Sequence, residues 1–321
     1  MMKQQVLGHE ATHQRFVHLM QEDKLPHAWL LHGFRGVGKS MLAQQLAAVY
    51  LCQHRTACGT CHSCCMLAAK SHPDFVQLGV LWDEKKKKFL RNINIAQIRD
   101  VLSFLALSGM QSQRRVVILD DADAMNNQAA NALLKGLEEP TDGSLLLIIC
   151  HDLTHLPATI RSRCMLEHCA PLGDRDMQQV LSQMRLPEKI MPLASSLTLG
   201  CPGNIAALQD GDVAQACLQW YELTMDLSTA DIGALYDHLQ KYLHIIPHDL
   251  IIAMLMLPLQ MILEKTEKKA MVSYAAKEKL FDAAQQLLMW PAEVIRHSLR
   301  PAPALLSRIL VMRLALKGMT M

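Results

Sequence analysis

The sequence lacks an excess of charge of either sign. Its 32 lysine and arginine residues are nearly matched by 30 aspartate and glutamate residues, which leaves a formal net charge of +2. A protein that holds DNA mainly through its own bulk charge needs a clear basic excess. The near balance therefore argues against that class of nucleic-acid-binding protein.

The sequence also lacks a hydrophobic run long enough to span a bilayer. Its longest apolar stretch, residues 250–263, is interrupted by Pro258 and Gln260 and falls short of the roughly 20 residues that a transmembrane helix needs. We predict a buried helix there instead. The first five residues do not have the pattern of a secretory signal. We therefore expect a cytoplasmic protein that has no membrane partner.

Apolar sequence is plentiful: 50% of the 321 residues are hydrophobic, enough for well-buried cores, and the length predicts about two or three domains. The chain has ten cysteines. In a reducing compartment, clustered cysteines are expected to bind metal rather than to form disulfides. The cysteines scattered among apolar neighbours are predicted to be small buried side chains, and they are Cys150, Cys164, Cys169, Cys201 and Cys217.

Residues 33–40 read GFRGVGKS and match the phosphate-loop pattern G-x-x-x-x-G-K-[ST] at every fixed position. The context also fits, because residues 28–32 are predicted to form a buried strand and residues 41–51 a helix. In such a loop, phosphate oxygens bind the helix N-terminus and the backbone N–H groups of the loop, here those of Gly33, Gly36, Val37 and Gly38. Lys39 is expected to reach the β- and γ-phosphates, and the Ser40 hydroxyl to bind Mg²⁺. ATP or ADP with Mg²⁺ is therefore the predicted cofactor.

A second nucleotide-binding element follows about eighty residues later. The apolar segment 116–119 is predicted to be a strand, and it ends in two acids. Asp120 is expected to hold Mg²⁺ through water, opposite Ser40. Asp121 occupies the position of the catalytic base, where ATPases of this kind carry a glutamate, and it is one methylene shorter. Because a displacement of about 1 Å can cost on the order of a hundredfold in rate, the sequence favours nucleotide binding over hydrolysis.

Predicted strands alternate with predicted helices in the first half of the chain. Segments 75–78, 116–119 and 145–149 are apolar enough for strands, and residues 94–107 and 127–137 have amphipathic helical patterns between them. This alternation predicts a mostly parallel α/β sheet with its ligand site at the carboxyl ends of the strands, where the phosphate loop falls. After about residue 168 only helical patterns follow.

The run from Lys85 to Lys88 is the most basic segment of the chain. We expect it to form a solvated turn at the tip of a hairpin. Contact with DNA phosphates is the alternative.

Four cysteines directly after the phosphate-loop helix have the spacing C-x5-C-x2-C-x2-C, and they are Cys52, Cys58, Cys61 and Cys64. A C-x2-C step lets two thiolates bind one ion from a tight turn, and four thiolates close a tetrahedral structural zinc site. Three alternatives stay open: an iron–sulfur cluster, a redox-active dithiol, and replacement of one thiolate by His54 or His62. Cys65 is expected to point away from the cluster.

Taken together, these elements resemble the AAA+ clamp-loader subunits of bacterial DNA polymerase III, and within that family the delta-prime type. Four further segments carry the resemblance: residues 25–30 (LPHAWL), 71–75 (SHPDF), 131–140 (NALLKGLEEP) and 159–164 (TIRSRC). The match covers about residues 25–165. It implies a RecA-like AAA+ domain in residues 1–168 with a zinc module at about 52–66, then a small helical lid in residues 169–210 and an all-α collar in residues 211–321.

The resemblance also implies partners and a role. Clamp-loader subunits form a hetero-oligomeric ring of gamma/tau motor subunits, delta and delta-prime, which opens the sliding clamp and places it on primed DNA. Arg163 matches the arginine finger of the family, which reaches the nucleotide bound by the neighbouring subunit. Considered without the resemblance, Arg163 is equally compatible with a surface salt bridge, and Arg161 is close enough to be confused with it.

Two departures from the motor pattern decide which subunit type the sequence favours. Gly203 stands where motor subunits carry a lid arginine, and Asp121 replaces the catalytic glutamate. Both departures favour a stator of the delta-prime type with weak or no ATP hydrolysis. The intact phosphate loop keeps open a second interpretation, an active motor ATPase of the gamma/tau type. A small-molecule kinase is a third, opposed by the missing acceptor-site arginines and the long helical tail.

Overall fold

The structure is a computed structural model of the 321-residue chain. It describes residues 7–79, 82–83, 88–89, 92–107, 113–224, 227, 229–247, 250–256, 274–296 and 298–317. The chain divides into two compact units, Met1–Asp176 and Met177–Met321.

The first unit contains the strands and the first six helices. Its strands are β1 (Ala28–His32), β2 (Phe75–Leu78), β3 (Trp82–Asp83), β4 (Lys88–Phe89), β5 (Arg115–Leu119), β6 (Ser144–Cys150) and β7 (Met165–His168). Its helices are α1 (Glu10–Gln21), α2 (Lys39–Leu51), α3 (His62–Ala68), α4 (Ile95–Ala106), α5 (Asn127–Glu138) and α6 (Ala158–Arg161).

Five parallel strands form the central sheet in the order β2-β5-β6-β1-β7. The three central strands, β5, β6 and β1, are buried almost along their whole length. Strands covered on both faces need continuous apolar sequence rather than alternation, which is why these segments could be recognised as uninterrupted hydrophobic runs. The parallel α/β sheet predicted from the sequence is confirmed, and the phosphate loop leaves the carboxyl end of β1 between β6 and β7.

Helices cover both faces of this sheet. On one face, Leu30, Val117 and Ile148 of the strands belong to a buried cluster that includes residues of α4, α5 and α6. Alternate strand residues such as Trp29 and Leu147 are buried on the other face, where α2 packs against β1, β5 and β6 and α1 packs against α2. The two helical layers keep water from both faces and leave the strand ends as the accessible edges of the sheet.

The predicted element bounds agree with the structure to within two residues. Helix α4 begins after Asn94, whose side chain accepts from the Gln97 N–H while the Gln97 side chain accepts from the Asn94 N–H. This reciprocal cap fixes the start of the helix. Strand β7 has no counterpart among the predicted strands. It is short and lies at the sheet edge, and its buried Glu167 is paired with Arg15 at 2.7 Å, so its sequence does not read as an apolar run.

The described part of the second unit is helical. Its helices are α7 (Asp174–Gln183, which begins in the first unit), α8 (Met191–Thr198), α9 (Gly211–Thr224), α10 (Ile232–Tyr242), α11 (residues 250–256), α12 (Tyr274–Arg296) and α13 (Pro301–Lys317), with a 3₁₀ turn at Pro202–Gln209. Residues 250–255 are buried, as predicted for the apolar stretch 250–263, whose last seven residues lie outside the described residues. The domain boundary after residue 168 and the lid and collar at 169–210 and 211–321 stay predictions.

Two sequence predictions concern surface segments and membrane spans. Strands β3 and β4 pair antiparallel with Asp83 opposite Lys88, but Lys85 to Lys87 lie outside the described residues, so the prediction of a solvated turn is not tested. Over the described ranges, every helix is too short or too polar to be a candidate membrane span.

Candidate functional site

The phosphate loop, residues 33–40, has a backbone that glycine permits. Gly33 has φ 143° and Gly38, which precedes α2, has φ 105°. Both values lie in the left-handed region that side chains rarely adopt. A Cβ at Gly33 would also lie 2.3 Å from the carbonyl oxygen of Cys169. The loop therefore has a tightly curved backbone at the N-terminus of α2, and phosphate binds to proteins at loops of this kind.

Lys39, the first residue of α2, has its ammonium group inside this loop. The residue is 3% exposed, and Nζ donates to the carbonyl oxygens of Gly33 at 2.6 Å and Phe34 at 2.7 Å. Burial lowers the pKa of Lys39. The ammonium group therefore lies within the loop, and its contact with nucleotide phosphates stays a prediction.

Ser40 and Asp120, the two predicted magnesium residues, meet around a third residue, Gln77 of β2. The Gln77 amide nitrogen lies 3.3 Å from Ser40 Oγ and 3.5 Å from Asp120 Oδ2. Its amide oxygen accepts from Gln44 at 3.0 Å. The structure therefore brings the predicted pair together. Gln77 was not predicted, although a polar residue in the strand sequence FVQL was the signal that could have found it.

Asp121, the predicted catalytic-base position, is held by two donors. Its Oδ1 accepts from Arg35 of the phosphate loop at 2.8 Å and from His151 Nε2 at 2.8 Å, so Nε2 carries the proton. The hydrogen bond from His151, with the nearby Arg35 charge, lowers the pKa of Asp121. The backbone of Asp121 is left-handed, with φ 51°. Sequence reasoning missed both partners because their long-range pairing leaves no local pattern.

His9 supports the loop from outside. This buried residue precedes α1, and its Nε2 lies 2.9 Å from the carbonyl oxygen of Val37. The contact ties the start of the first unit to the middle of the phosphate loop. No spacing in the sequence indicated it.

The four cysteines of the predicted zinc module form one cluster, and their Sγ atoms all lie within 4.8 Å of one another. The Sγ of Cys52 lies 3.7 Å from that of Cys58 and 3.8 Å from that of Cys61. Four thiolates at about 2.3 Å around a tetrahedral zinc ion are about 3.8 Å apart. The cluster therefore fits one zinc ion. Thiolates that bind different irons of a cluster need wider spacing, so the iron–sulfur alternative fits less well.

Local hydrogen bonds shape the cluster. Cys61 precedes α3 and its Sγ accepts from the Cys64 N–H, while Cys58 Sγ accepts from the Cys61 N–H at 3.4 Å. The Thr60 hydroxyl also donates to Cys58 Sγ, and these bonds lower the pKa of Cys58 to about 5. Thiolate is the form that binds metal, so the turn favours the ligand form of that residue.

The neighbouring candidates do not join the cluster. His54 and His62 are exposed, and neither belongs to the group of four. Cys65 is exposed, and its Sγ lies 3.7 Å from the Thr60 carbonyl oxygen, in line with the prediction that it points away. The scattered cysteines are buried as predicted, and they are Cys150, Cys164, Cys169, Cys201 and Cys217.

A buried hydrogen-bond chain joins the cysteine cluster to the sheet. The Asp74 N–H donates to His72 Nδ1 at 3.1 Å, so the proton of the neutral ring is on Nε2, which donates to Ser63 Oγ at 2.8 Å. The Ser63 hydroxyl in turn donates to the carbonyl oxygen of Leu51 at 2.9 Å. Burial lowers the pKa of His72 and keeps the ring neutral. The chain links α3, the end of α2 and the segment that enters β2.

We expect His72→Ala to lower the free energy of unfolding of the protein by about 1–3 kcal/mol, because the change removes the acceptor of the buried Asp74 N–H and one of the two hydrogen bonds of Ser63 Oγ. Denaturant unfolding followed by circular dichroism measures this. His62→Ala, on the exposed side of the same helix, is the control and should stay within about 0.5 kcal/mol of the wild type. Equal stabilities of the two variants would contradict a structural role for these hydrogen bonds.

Arg163, the predicted arginine finger, is at the surface of the first unit. It lies two residues before β7, so it is at the amino ends of the parallel strands, whereas the phosphate loop is at their carboxyl ends. Its guanidinium is paired with Glu138 Oε1 at 2.8 Å and donates to the Thr159 carbonyl oxygen at 3.0 Å. Arg161 is half-buried, and its Nε has no hydrogen-bond partner among the described residues. Gly203 is exposed in the 3₁₀ turn of the second unit.

Comparison with known proteins gives the family. The model of a family described as DNA polymerase III, delta subunit, matches residues 8–172, just over half of the chain. The chain belongs to this family. The matched residues include the phosphate loop, the cysteine cluster, Asp120, Asp121 and Arg163, so the family assignment covers every candidate site of the first unit.

Individual proteins agree with the family match. DNA polymerase III subunit delta′ of Pseudomonas aeruginosa is 44% identical over 213 residues, which are 65% of this chain and 63% of that protein. Its counterpart in Escherichia coli K12 is 33% identical over 194 residues, 59% of this chain and 56% of that protein. The match thus spans less than two thirds of either relative. The resemblance to the delta-prime type is confirmed.

Among solved structures, a Thermotoga maritima protein described as related to the DNA polymerase III gamma subunit matches over 94% of this chain and 99% of its own chain. Its sequence identity is 14% and the TM-score is 0.42.

Proposed function

We propose that this chain is a clamp-loader subunit of the delta-prime type in a bacterial DNA polymerase III holoenzyme. In this role it is a stator of the ring: it binds the gamma/tau motor subunits and delta, supplies Arg163 to a neighbour and hydrolyses little or no ATP itself. The observation that carries the proposal is the family match over residues 8–172, the region that holds all the candidate sites of the first unit.

The phosphate loop supports binding of a nucleotide with Mg²⁺. Phosphate oxygens would be held by the loop N–H groups and by Lys39, and the metal by Ser40 and Asp120. Bound Mg²⁺ supplies positive charge that offsets the charge on the phosphates. This chain's own contribution is to bind and orient them, with the ammonium group of Lys39 already inside the loop.

The surroundings of Asp121 support weak hydrolysis. A general base works best when its pKa is near the operating pH. Here the pKa of the carboxyl group is lowered, chiefly by the hydrogen bond from His151, which makes it a poorer proton acceptor. The side chain is also one methylene shorter than the glutamate of active motors. Both properties favour a site that holds nucleotide without splitting it.

The position of Arg163 supports action on a neighbouring subunit. The residue lies at the amino ends of the strands, away from its own phosphate loop at their carboxyl ends. It is exposed there, so another subunit can contact it. A planar guanidinium can contact two oxygens of a phosphoryl group at once. The role requires it to exchange its ion pair with Glu138 for that contact.

The cysteine cluster supports a structural zinc site. Four thiolates fill the tetrahedral coordination shell of zinc and leave no position for a water or a substrate. We therefore assign no reaction to this metal. Its contribution is to fix the segment between α2 and β2, with Cys52, Cys58, Cys61 and Cys64 as ligands.

The first test uses the isolated chain. We expect it to bind a fluorescent ATP analogue in the presence of Mg²⁺ and to show no steady-state ATP hydrolysis above the background of Lys39→Ala. That variant should lose at least about tenfold in affinity, because each ionic hydrogen bond contributes roughly 1.5–3 kcal/mol. Lys24→Ala, an exposed lysine paired with Glu22, is the control and should bind like the wild type.

The motor interpretation is the competing function, and the intact loop with Ser40 and Asp120 close together favours it. It predicts hydrolysis by the wild-type chain that Lys39→Ala abolishes. The stator proposal further predicts a stable complex when the chain is mixed with motor and delta subunits, measured by mass together with bound nucleotide and zinc. Absence of any such complex would contradict the clamp-loader assignment.

A further inference from the structure

Arg35 of the phosphate loop makes an ion pair whose partner competes with phosphate. Its guanidinium Nη2 lies 2.8 Å from Asp121 Oδ1. Both cations of the loop, Lys39 and Arg35, therefore point to groups of the protein itself: Lys39 to loop carbonyls, and Arg35 to a carboxylate. The carbonyl partners of Lys39 are neutral, whereas the Asp121 carboxylate is charged. A phosphate group would therefore compete with another anion for Arg35.

The ion pair joins two loops at the carboxyl ends of the strands. Arg35 follows β1, Asp121 follows β5, and the sheet order places β6 between these two strands. The end of β6 supplies His151, the second donor to Asp121. Three side chains from the ends of three adjacent strands thus meet beside the phosphate loop, at the edge where ligands bind in parallel sheets.

Breaking the ion pair between Arg35 and Asp121 costs little free energy. The Arg35 side chain is 60% exposed, so its departure buries and exposes little surface. Asp121 is 25% exposed and keeps its hydrogen bond to His151, so the carboxylate is not left without a partner. A phosphate group carries more negative charge than one carboxylate and offers several oxygens to a planar guanidinium. Phosphate is therefore the stronger of two competing partners for Arg35.

We propose that Arg35 determines the nucleotide specificity of this site by exchanging its ion pair with Asp121 for the terminal phosphate of a nucleoside triphosphate. Asp121 is the competitor in this exchange, and it reduces the affinity for the triphosphate. A diphosphate, which lacks the terminal group, leaves the ion pair in place. The inference rests on the nucleotide binding proposed above and adds to it the residue that distinguishes the two ligands.

A double-mutant cycle tests the exchange, using the full-length chain, Mg²⁺, and fluorescent analogues of ADP and of non-hydrolysable ATP. Arg35→Ala should weaken triphosphate binding by about tenfold or more and diphosphate binding by less than about threefold. Asp121→Asn keeps an oxygen for His151 but removes the charge, and it should tighten triphosphate binding severalfold. In the Arg35→Ala background most of this gain should disappear, because no guanidinium remains to be released.

Three outcomes would overturn the inference. The first is that Asp121→Asn tightens triphosphate binding equally with and without Arg35. The second is that Arg35→Ala weakens the binding of the two nucleotides equally. The third is that Arg35→Lys binds the triphosphate no better than Arg35→Ala. Circular dichroism of each variant checks folding, and the lysine and asparagine changes keep the shape of the site. If the wild-type chain binds neither nucleotide, the proposed nucleotide binding itself fails. If it binds both and the cycle is additive, only the role of Arg35 fails.

Discussion

Replacing Arg163 by alanine should slow ATP hydrolysis at the neighbouring subunit's active centre by about 10³-fold or more in the reconstituted complex, the lower end of the effects of arginine fingers supplied in trans. The physical reason is the loss of a guanidinium that stabilises charge on the transferring phosphoryl group. Clamp loading by the complex should fall with it. Single-turnover hydrolysis and a clamp-loading assay, both with motor and delta subunits present, measure the two effects.

The ion pair of Arg163 supplies a matched control. Glu138→Ala breaks the same 2.8 Å contact without removing the guanidinium, so it should leave hydrolysis and loading at wild-type levels or above. Arg163→Lys keeps the charge but loses the planar fork, and it should recover only part of the activity. If Glu138→Ala reproduced the loss, Arg163 would act through its surface ion pair. Wild-type loading by Arg163→Ala would rule out the finger assignment.

Replacing Cys64 by alanine should remove the metal. We expect one zinc per chain in the purified wild type and none in the variant, since Cys64 is fully buried and the cluster among the described residues consists of the four cysteines alone, so the ion would lose one of its four ligands. Structural zinc contributes about 10–16 kcal/mol of apparent binding free energy in zinc-finger peptides, so its loss should also unfold the module and lower the melting temperature. Elemental analysis and thermal unfolding measure the two effects.

Cys65→Ala is the control for this change. It alters the adjacent cysteine of the same helix, which is exposed and lies outside the cluster, so zinc content and melting temperature should match the wild type. Chelation of the wild type should reproduce the behaviour of Cys64→Ala. A wild-type protein that carried iron, or a disulfide between these cysteines, would favour one of the alternatives raised by the spacing. Zinc retained by Cys64→Ala would exclude that residue as a ligand.

The parts of the site that could be predicted are those in which spacing along the chain sets the geometry. The phosphate loop needs only a strand, eight residues and a helix, and the sequence contains all three in order. The cysteine cluster lies within thirteen residues, so two tight turns bring its sulfur atoms together. Asp120 could be placed because an apolar strand leads directly to it. In each case the local backbone conformation was enough to predict which residues lie close together.

The remaining partners are distant in sequence and carry no local signal. Arg35 and Asp121 are 86 residues apart, and Gln77 is 43 residues from Asp120. Neither separation has a period that a pattern could reveal. Strand β7 was missed for a related reason: its buried Glu167 depends on Arg15, 152 residues away, and a charged residue in a short segment argues against burial until its partner is known. These pairings depend on the order of strands in the sheet.

By itself the sequence determined the family, the α/β class, the phosphate loop, the four clustered thiols and the acidic end of β5, because each is written in consecutive or regularly spaced residues. Only the tertiary structure decided that Asp121 is held by Arg35 and His151, that Gln77 lies between the two predicted magnesium ligands Ser40 and Asp120, and that Arg163 lies at the opposite end of the sheet from its own loop. The reason is that a parallel sheet aligns the ends of strands that are far apart in the chain, and long-range electrostatic and hydrogen-bond partners are chosen there.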